Sequence, residues 1–157
     1  MTATTLSLSR VIRADADTLF RAWTDPGELM HWWRMEGDGW SFAGATIDLR
    51  VGGAYRLGMN APDGQTHVAF GVYREIDRPA RLVFTWDWED APMGETLVTV
   101  EFKAAGRDQT EVVITHERFA DAERIARHEH GWTALLRLLE LFVDSSAMTA
   151  GRQGESR

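Results

Sequence analysis

The chain has 157 residues, enough for one domain with a core that stands without disulfides or a structural metal. Hydrophobic residues at 44% and charged residues at 26% exclude a disordered chain, and a net charge of −7 disfavours nucleic acid and anionic membrane surfaces as partners. With no cysteine there is no disulfide and no thiol chemistry, as suits a reducing cytoplasm, the expected location.

Taken from the N-terminus, Met1-Thr2-Ala3-Thr4-Thr5-Leu6 lacks the basic start and apolar run of a secretion signal. No stretch reaches the roughly 18 apolar residues of a membrane span, so none is expected. Leu6, Leu8 and Arg10, followed by Val11-Ile12, predict an opening strand. Asp15 is placed to cap a first helix through Trp23, with Leu19, Phe20 and Trp23 on one face. A second helix is predicted from Pro26 to Trp33. Asp25 caps it, Pro26 suits its first position, and Glu28 stands three residues after the cap, in the capping-box pattern. Trp23, Trp32 and Trp33 place three of the seven tryptophans within eleven residues, and so much aromatic surface needs a core or a ligand to cover it. A loop with Gly37, Gly39 and Trp40 follows.

The period then changes to two. Ile47-Asp48-Leu49-Arg50-Val51 alternates, Gly52-Gly53 turns the chain, and Tyr55, Leu57 and Met59 alternate in the answering strand, which predicts a hairpin. Asp48 and Arg50 share a face and are expected to pair. Beyond the turn at Asn60-Ala61-Pro62-Asp63-Gly64, strands are predicted at 66–76, 82–88, 96–104 and 110–117, and their short loops make an antiparallel meander. From Asp121 the period returns to 3.6. Ile125, His128, Trp132, Leu135, Leu136, Leu139, Phe142 and Val143 form one stripe on a helix expected to end near Ser145. The order strand, two helices, six strands, long helix predicts an α+β fold in which a curved antiparallel sheet buries that stripe.

Few residues carry chemistry. Leu82, Phe84, Trp86 and Trp88 share one face of their strand and are expected to face the helix, where they would serve as core or as pocket lining. His116 shares a face with Val112 and Ile114, and is read either as a satisfied structural histidine or as a ligand or acid–base group. Glu117 points to the opposite face, so His116 lacks a carboxylate partner on its own strand. His128 and His130 splay by about 200° on a helix and cannot share a metal. There is no His-x-x-x-His, no acidic calcium loop, no Ser-His-Asp grouping and no dinucleotide fingerprint, so neither a metal nor a cofactor is expected. Gly131, costly inside a helix, suggests close approach of backbone to sheet or ligand.

Several segments match in order a known pattern: Trp23-Thr24-Asp25-Pro26 with Trp32-Trp33, then Asp48-Leu49-Arg50-Val51-Gly52-Gly53-Ala54-Tyr55. Gly71-Val72-Tyr73-Arg74-Glu75-Ile76, Arg81-Leu82-Val83-Phe84-Thr85-Trp86, Thr115-His116-Glu117-Arg118-Phe119 and His130-Gly131-Trp132 with Leu135 and Leu138 complete it. Over residues 4 to 145 the chain resembles the START-like (SRPBCC, Bet v 1-like) helix-grip superfamily, and within it the activator of heat-shock protein 90 ATPase homologues. The resemblance implies a sheet that wraps the C-terminal helix and leaves a cavity between them. Related folds bind lipids, hormones or polyketides, and some catalyse cyclisation or dehydration. The eukaryotic namesakes bind a chaperone through an additional N-terminal domain, which is expected to be missing here because the chain starts at the helix-grip strand.

One domain is therefore expected over 1–146, with a flexible tail over 147–157. The preferred function is a small cytoplasmic binding module for a hydrophobic or aromatic small molecule, without a cofactor. Its pocket is expected to be lined by Trp32, Trp33, Trp40, Tyr55, Met59 and Phe70, together with Trp86, Trp88, His116, Trp132 and Leu136. The alternatives are a polyketide cyclase or dehydratase-like enzyme, with His116 as its acid–base candidate and Tyr73 or a tryptophan assisting, and a co-chaperone-like activator with a part in the stress response. Its partners would then be a small molecule, or a chaperone or other protein, with the chain a monomer or a homodimer.

Overall fold

A computed structural model describes residues 4–155, with side chains through residue 145. The chain runs β1 (Leu6–Ile12), α1 (Ala16–Thr24), α2 (Pro26–Leu29), β2 (Ser41–Ile47), β3 (Ala54–Asn60), β4 (Thr66–Asp77), β5 (Arg81–Trp88), β6 (Thr96–Gly106), β7 (Gln109–Glu117) and α3 (Ala122–Glu155). The seven strands form one curled antiparallel sheet in the order β1-β7-β6-β5-β4-β3-β2, with α3 gripped against its concave face, which is the expected helix-grip fold. From β2 to β7 every strand pairs with its sequence neighbour, while β1 closes the far edge against β7.

The two short helices start where the sequence indicates. Asp15 accepts the Thr18 N–H at 2.8 Å and Asp25 accepts the Gly27 N–H at 2.9 Å. The capping box does not form: the Asp25 N–H donates to the Arg21 carbonyl, and Glu28 instead receives the Arg21 guanidinium at 2.7 Å. The second helix is also shorter than expected. It is a single turn ending at Leu29, and a run of tight turns carries Trp32 and Trp33 into the core.

The first hairpin is displaced from its expected position. The strand is Ser41–Ile47, and Asp48–Gly53 forms the connection, with Ile47 opposite Tyr55. Leu49 and Val51 are exposed there, so their alternation marks a loop whose side chains happen to alternate in polarity. Asp48 and Arg50 pair at 2.8 Å as expected, and any side chain at Gly53 would strike the Asp48 carbonyl at 2.1 Å, so the loop needs glycine at that point.

The sheet's inner face and α3 build the core. Leu82, Phe84 and Trp86 of β5, Val98 and Val100 of β6, and Val112 and Ile114 of β7 meet Trp132, Leu135, Leu136, Leu139 and Val143 of α3. Each such side chain contributes about 1.5–3 kcal/mol of burial. The backbone of α3 continues through Glu155, past the end expected near Ser145. An apolar stripe marks where packing stops, and no proline follows it to end the helix. Of the expected 147–157 tail, Ser156 and Arg157 lie outside the described residues.

Candidate functional site

A cavity of about 550 Å³ lies between the sheet and the first half of α3. Met59 of β3, His67 of β4, and Trp86 and Trp88 of β5 form its floor. Arg124, His128, Gly131, Trp132 and Leu135 of α3 form its roof, because residues three, four, seven and eight apart share one helical face. Met35, Trp40 and the loop residues Asp90, Ala91 and Met93 close the sides. Trp86, Trp132, Met59 and Leu135 are buried at the inner end, while Glu123, Arg127, Asp90 and Ala91 are exposed at the mouth.

Two histidines hold two of the wall tryptophans. The Trp132 indole N–H donates to His116 Nδ1 at 3.1 Å. An indole can only donate, so the imidazole proton sits on Nε2, which reaches Thr96 Oγ1 at 2.7 Å. The threonine hydroxyl in turn donates to the Trp86 carbonyl at 2.7 Å. A continuous chain of hydrogen bonds thus joins α3, β7, β6 and β5. His128 is the opposite tautomer: its Nε2 accepts the Trp88 indole N–H at 3.0 Å and its Nδ1–H donates to the Arg124 carbonyl at 2.8 Å. Burial, with the nearby His128 adding to it, lowers His116 to a pKa of about 2, and burial also lowers His128. Both rings are neutral and fully partnered.

The third wall tryptophan differs. The Trp86 indole nitrogen is buried without a hydrogen-bond partner, a condition that in general costs about 1–3 kcal/mol. Rings of Trp33, Trp88, Trp132 and His116 surround it at centroid distances of 6.0, 5.3, 5.0 and 5.8 Å. Aromatic faces are at best weak acceptors. At the mouth Glu123 pairs with Arg127 at 2.6 Å and Asp121 with Arg124, and His67 Nδ1 is hydrogen-bonded to Asp90 at 2.6 Å. Asp87 accepts the Met93 N–H at 2.9 Å and so anchors the loop that carries Asp90.

Of the eleven residues expected to line the pocket, Trp40, Met59, Trp86, Trp88 and Trp132 meet at the cavity. Trp32 and Trp33 are fully buried in the core, where Trp32 donates to the Ala22 carbonyl and Trp33 packs against Trp86 and Trp132. Leu136 and His116 are core as well, and Tyr55 buries its hydroxyl against the Thr85 carbonyl. Phe70 stands on the opposite face of the sheet, 36% exposed. Tyr73 is buried and its ionisation is pushed up by desolvation.

Sequence reasoning missed Met35, His67, Asp90, Met93, Arg124 and His128 as lining residues. For His128 the signal was available, since it lies one turn before Trp132 on the apolar stripe. Gly131 does not bring the backbone close to the sheet, one of the two reasons its sequence suggests. A Cβ there would meet nothing within 4 Å, so this glycine leaves open space in the cavity roof. Among the described residues no group of three or more His, Cys, Asp or Glu could hold a metal ion, and no helix is long and apolar enough to cross a membrane.

Comparison with known proteins agrees with this architecture. The family model described as Activator of Hsp90 ATPase homolog 1-like protein matches residues 13–144. Among solved structures, protein CV1439 from Chromobacterium violaceum is 28% identical, with a TM-score of 0.76 over 89% of this chain and 96% of the other. The AHSA1 protein from Silicibacter pomeroyi is 26% identical, with a TM-score of 0.77 over 90% of this chain and 99% of the other. An HSP90 activator from Plasmodium falciparum, 23% identical, shares the fold with a TM-score of 0.71 over 90% of this chain and 97% of its own. No curated protein matches.

Proposed function

The chain belongs to the Activator of Hsp90 ATPase homolog 1-like family, and we propose that within it this protein is a binding module for an apolar or aromatic small molecule. The observation that carries this reading is the cavity itself. About 550 Å³ is ligand-sized, and Trp40, Met59, Trp86, Trp88, Trp132 and Leu135 give it an apolar, aromatic wall. His116 and His128 fix Trp132 and Trp88 in place, so little ordering is left for the ligand to impose. Affinity comes from apolar burial, and a bound molecule enters from the side where Glu123, Arg127 and Asp90 meet solvent.

Acid–base catalysis at His116 has less support. Both ring nitrogens already have protein partners, and a pKa lowered to about 2 keeps the ring neutral and a poor proton acceptor near neutral pH. Activation of a heat-shock protein 90 ATPase is the second reading, supported by the family and by the likeness to the Plasmodium activator. A chaperone ATPase assay with and without this protein tests it, and stimulation that survives blocking of the cavity would favour it over ligand binding.

The binding test uses N-phenyl-1-naphthylamine, an uncharged dye that brightens in apolar surroundings. We expect saturable one-site binding that Gly131→Phe weakens about a hundred-fold by filling the roof. Emission that does not saturate, or that is indifferent to Gly131→Phe, would remove the cavity as the site.

A further inference from the structure

Among the buried polar groups of the cavity wall, one donor is left without a protein partner. The indoles of Trp88 and Trp132 are satisfied by His128 and His116, and the other nitrogens of those histidines are taken by Arg124 and Thr96. Trp86 alone among these three indoles has a buried N–H with no acceptor, and its ring lines the cavity. Trp33 has a second unpartnered indole N–H, but its ring lies behind the wall, packed against Trp86 and Trp132, and does not itself line the cavity.

We infer, resting on the reading of the cavity as a binding site, that the molecule held here is an aromatic compound with a hydrogen-bond acceptor of the carbonyl type, and that the Trp86 N–H is the donor that meets it. The polarity follows from the inventory. A donor on the ligand would find the histidine nitrogens already engaged, whereas an acceptor relieves an unmet buried N–H. The aromatic rings packed around Trp86 favour a flat ring system around that oxygen over an aliphatic alcohol or a polyol. The nitrogen is screened from solvent, so the acceptor reaches it as the wall shifts. Met35, Met59 and Met93 are the adaptable members of that wall.

The test compares two near-isosteric probes, 2-acetylnaphthalene and 2-isopropenylnaphthalene, which differ by an oxygen against a CH2. Each is titrated against the intact chain by displacement of N-phenyl-1-naphthylamine. The ketone is expected to bind about ten-fold more tightly, and Trp86→Phe to remove about that factor for the ketone while leaving the alkene within about two-fold. Because a core substitution can disturb folding, the same question is put to the unmodified protein labelled with ¹⁵N-tryptophan. The ketone is expected to move the Trp86 indole N–H resonance downfield and the alkene to leave it near its free position, with the Trp33 resonance as an internal control. Equal affinities together with an unmoved Trp86 N–H would overturn the assignment of the acceptor and leave the cavity standing as a binding site. Failure of both probes to displace the dye or to move any indole resonance would overturn the binding reading and this inference with it.

Discussion

Two successive stretches of α3, residues 122–131 and 132–143, belong to one continuous helix but are put to different uses. Residues 122–131 hold no fully buried side chain, and their inward face forms the cavity roof together with Trp132 and Leu135. Residues 132–143 hold six buried ones, Trp132, Ala134, Leu135, Leu136, Leu139 and Val143, which close the core. Trp132 and Leu135 lie at the boundary, belonging to both. The lesson is that the sheet grips only the second of these stretches, so most residues that stabilise the fold and most that shape the cavity can be altered separately.

The largest expected effect tests the gripped stretch. Leu139→Ala, at a fully buried position, should lower unfolding free energy by about 2–5 kcal/mol in urea denaturation, while the folded fraction keeps its dye affinity. A parallel loss of affinity would mean that the stretches are coupled. Next comes Gly131→Phe in the free stretch, expected to weaken dye binding about a hundred-fold, roughly 2.7 kcal/mol, with stability little changed because its Cβ enters open space.

Acid probes the boundary between the stretches. His116 has its pKa lowered from 6.5 to about 2, so the unfolded chain binds its proton first. The neutral ring's contribution is therefore complete above pH 6.5 and shrinks as pH falls from there towards 2, by about 1.4 kcal/mol per pH unit. His128, lowered in the same direction, adds to the effect. Urea titrations at pH 7.5, 6 and 5 should show that slope, and His116→Leu should flatten it. The smallest effect is Gly131→Ala, which should stabilise the helix by about 1 kcal/mol and leave the cavity open. Destabilisation by that change would contradict the open roof.

Much of the fold was legible in the sequence because β3 to β7 and α3 alternate or repeat strongly, and their limits fall within a residue or two of expectation at most ends. The exceptions have local causes. Strand β2 is Ser-Phe-Ala-Gly-Ala-Thr-Ile, mostly small residues left exposed, so its pattern is faint, while the loop after it imitates a strand. In the site, Trp32 and Trp33 could not be told from wall residues, since core and cavity draw on the same aromatic chemistry. Phe70 misled for a steric reason. The inward positions on either side of it are Ala69 and Gly71, because a Cβ at Gly71 would lie 2.0 Å from the Thr85 carbonyl, so the larger side chain faces out. His67 and Asp90 were missed because a contact between residues 23 apart depends on how the β5–β6 loop folds back, which no short-range pattern records.

The indole rings also have an optical consequence. Trp23, Trp32, Trp33, Trp86, Trp88 and Trp132 form an unbroken series of neighbours, with ring centroids 5.0 to 6.2 Å apart along its links. At such spacing excitation energy hops between chromophores faster than it is emitted. Six of the seven tryptophans therefore emit as one coupled antenna, and Trp40, beside His67, stands outside that series. A molecule that quenches Trp86 or Trp88 should dim all six, giving this protein a built-in reporter whose response exceeds the number of rings touched.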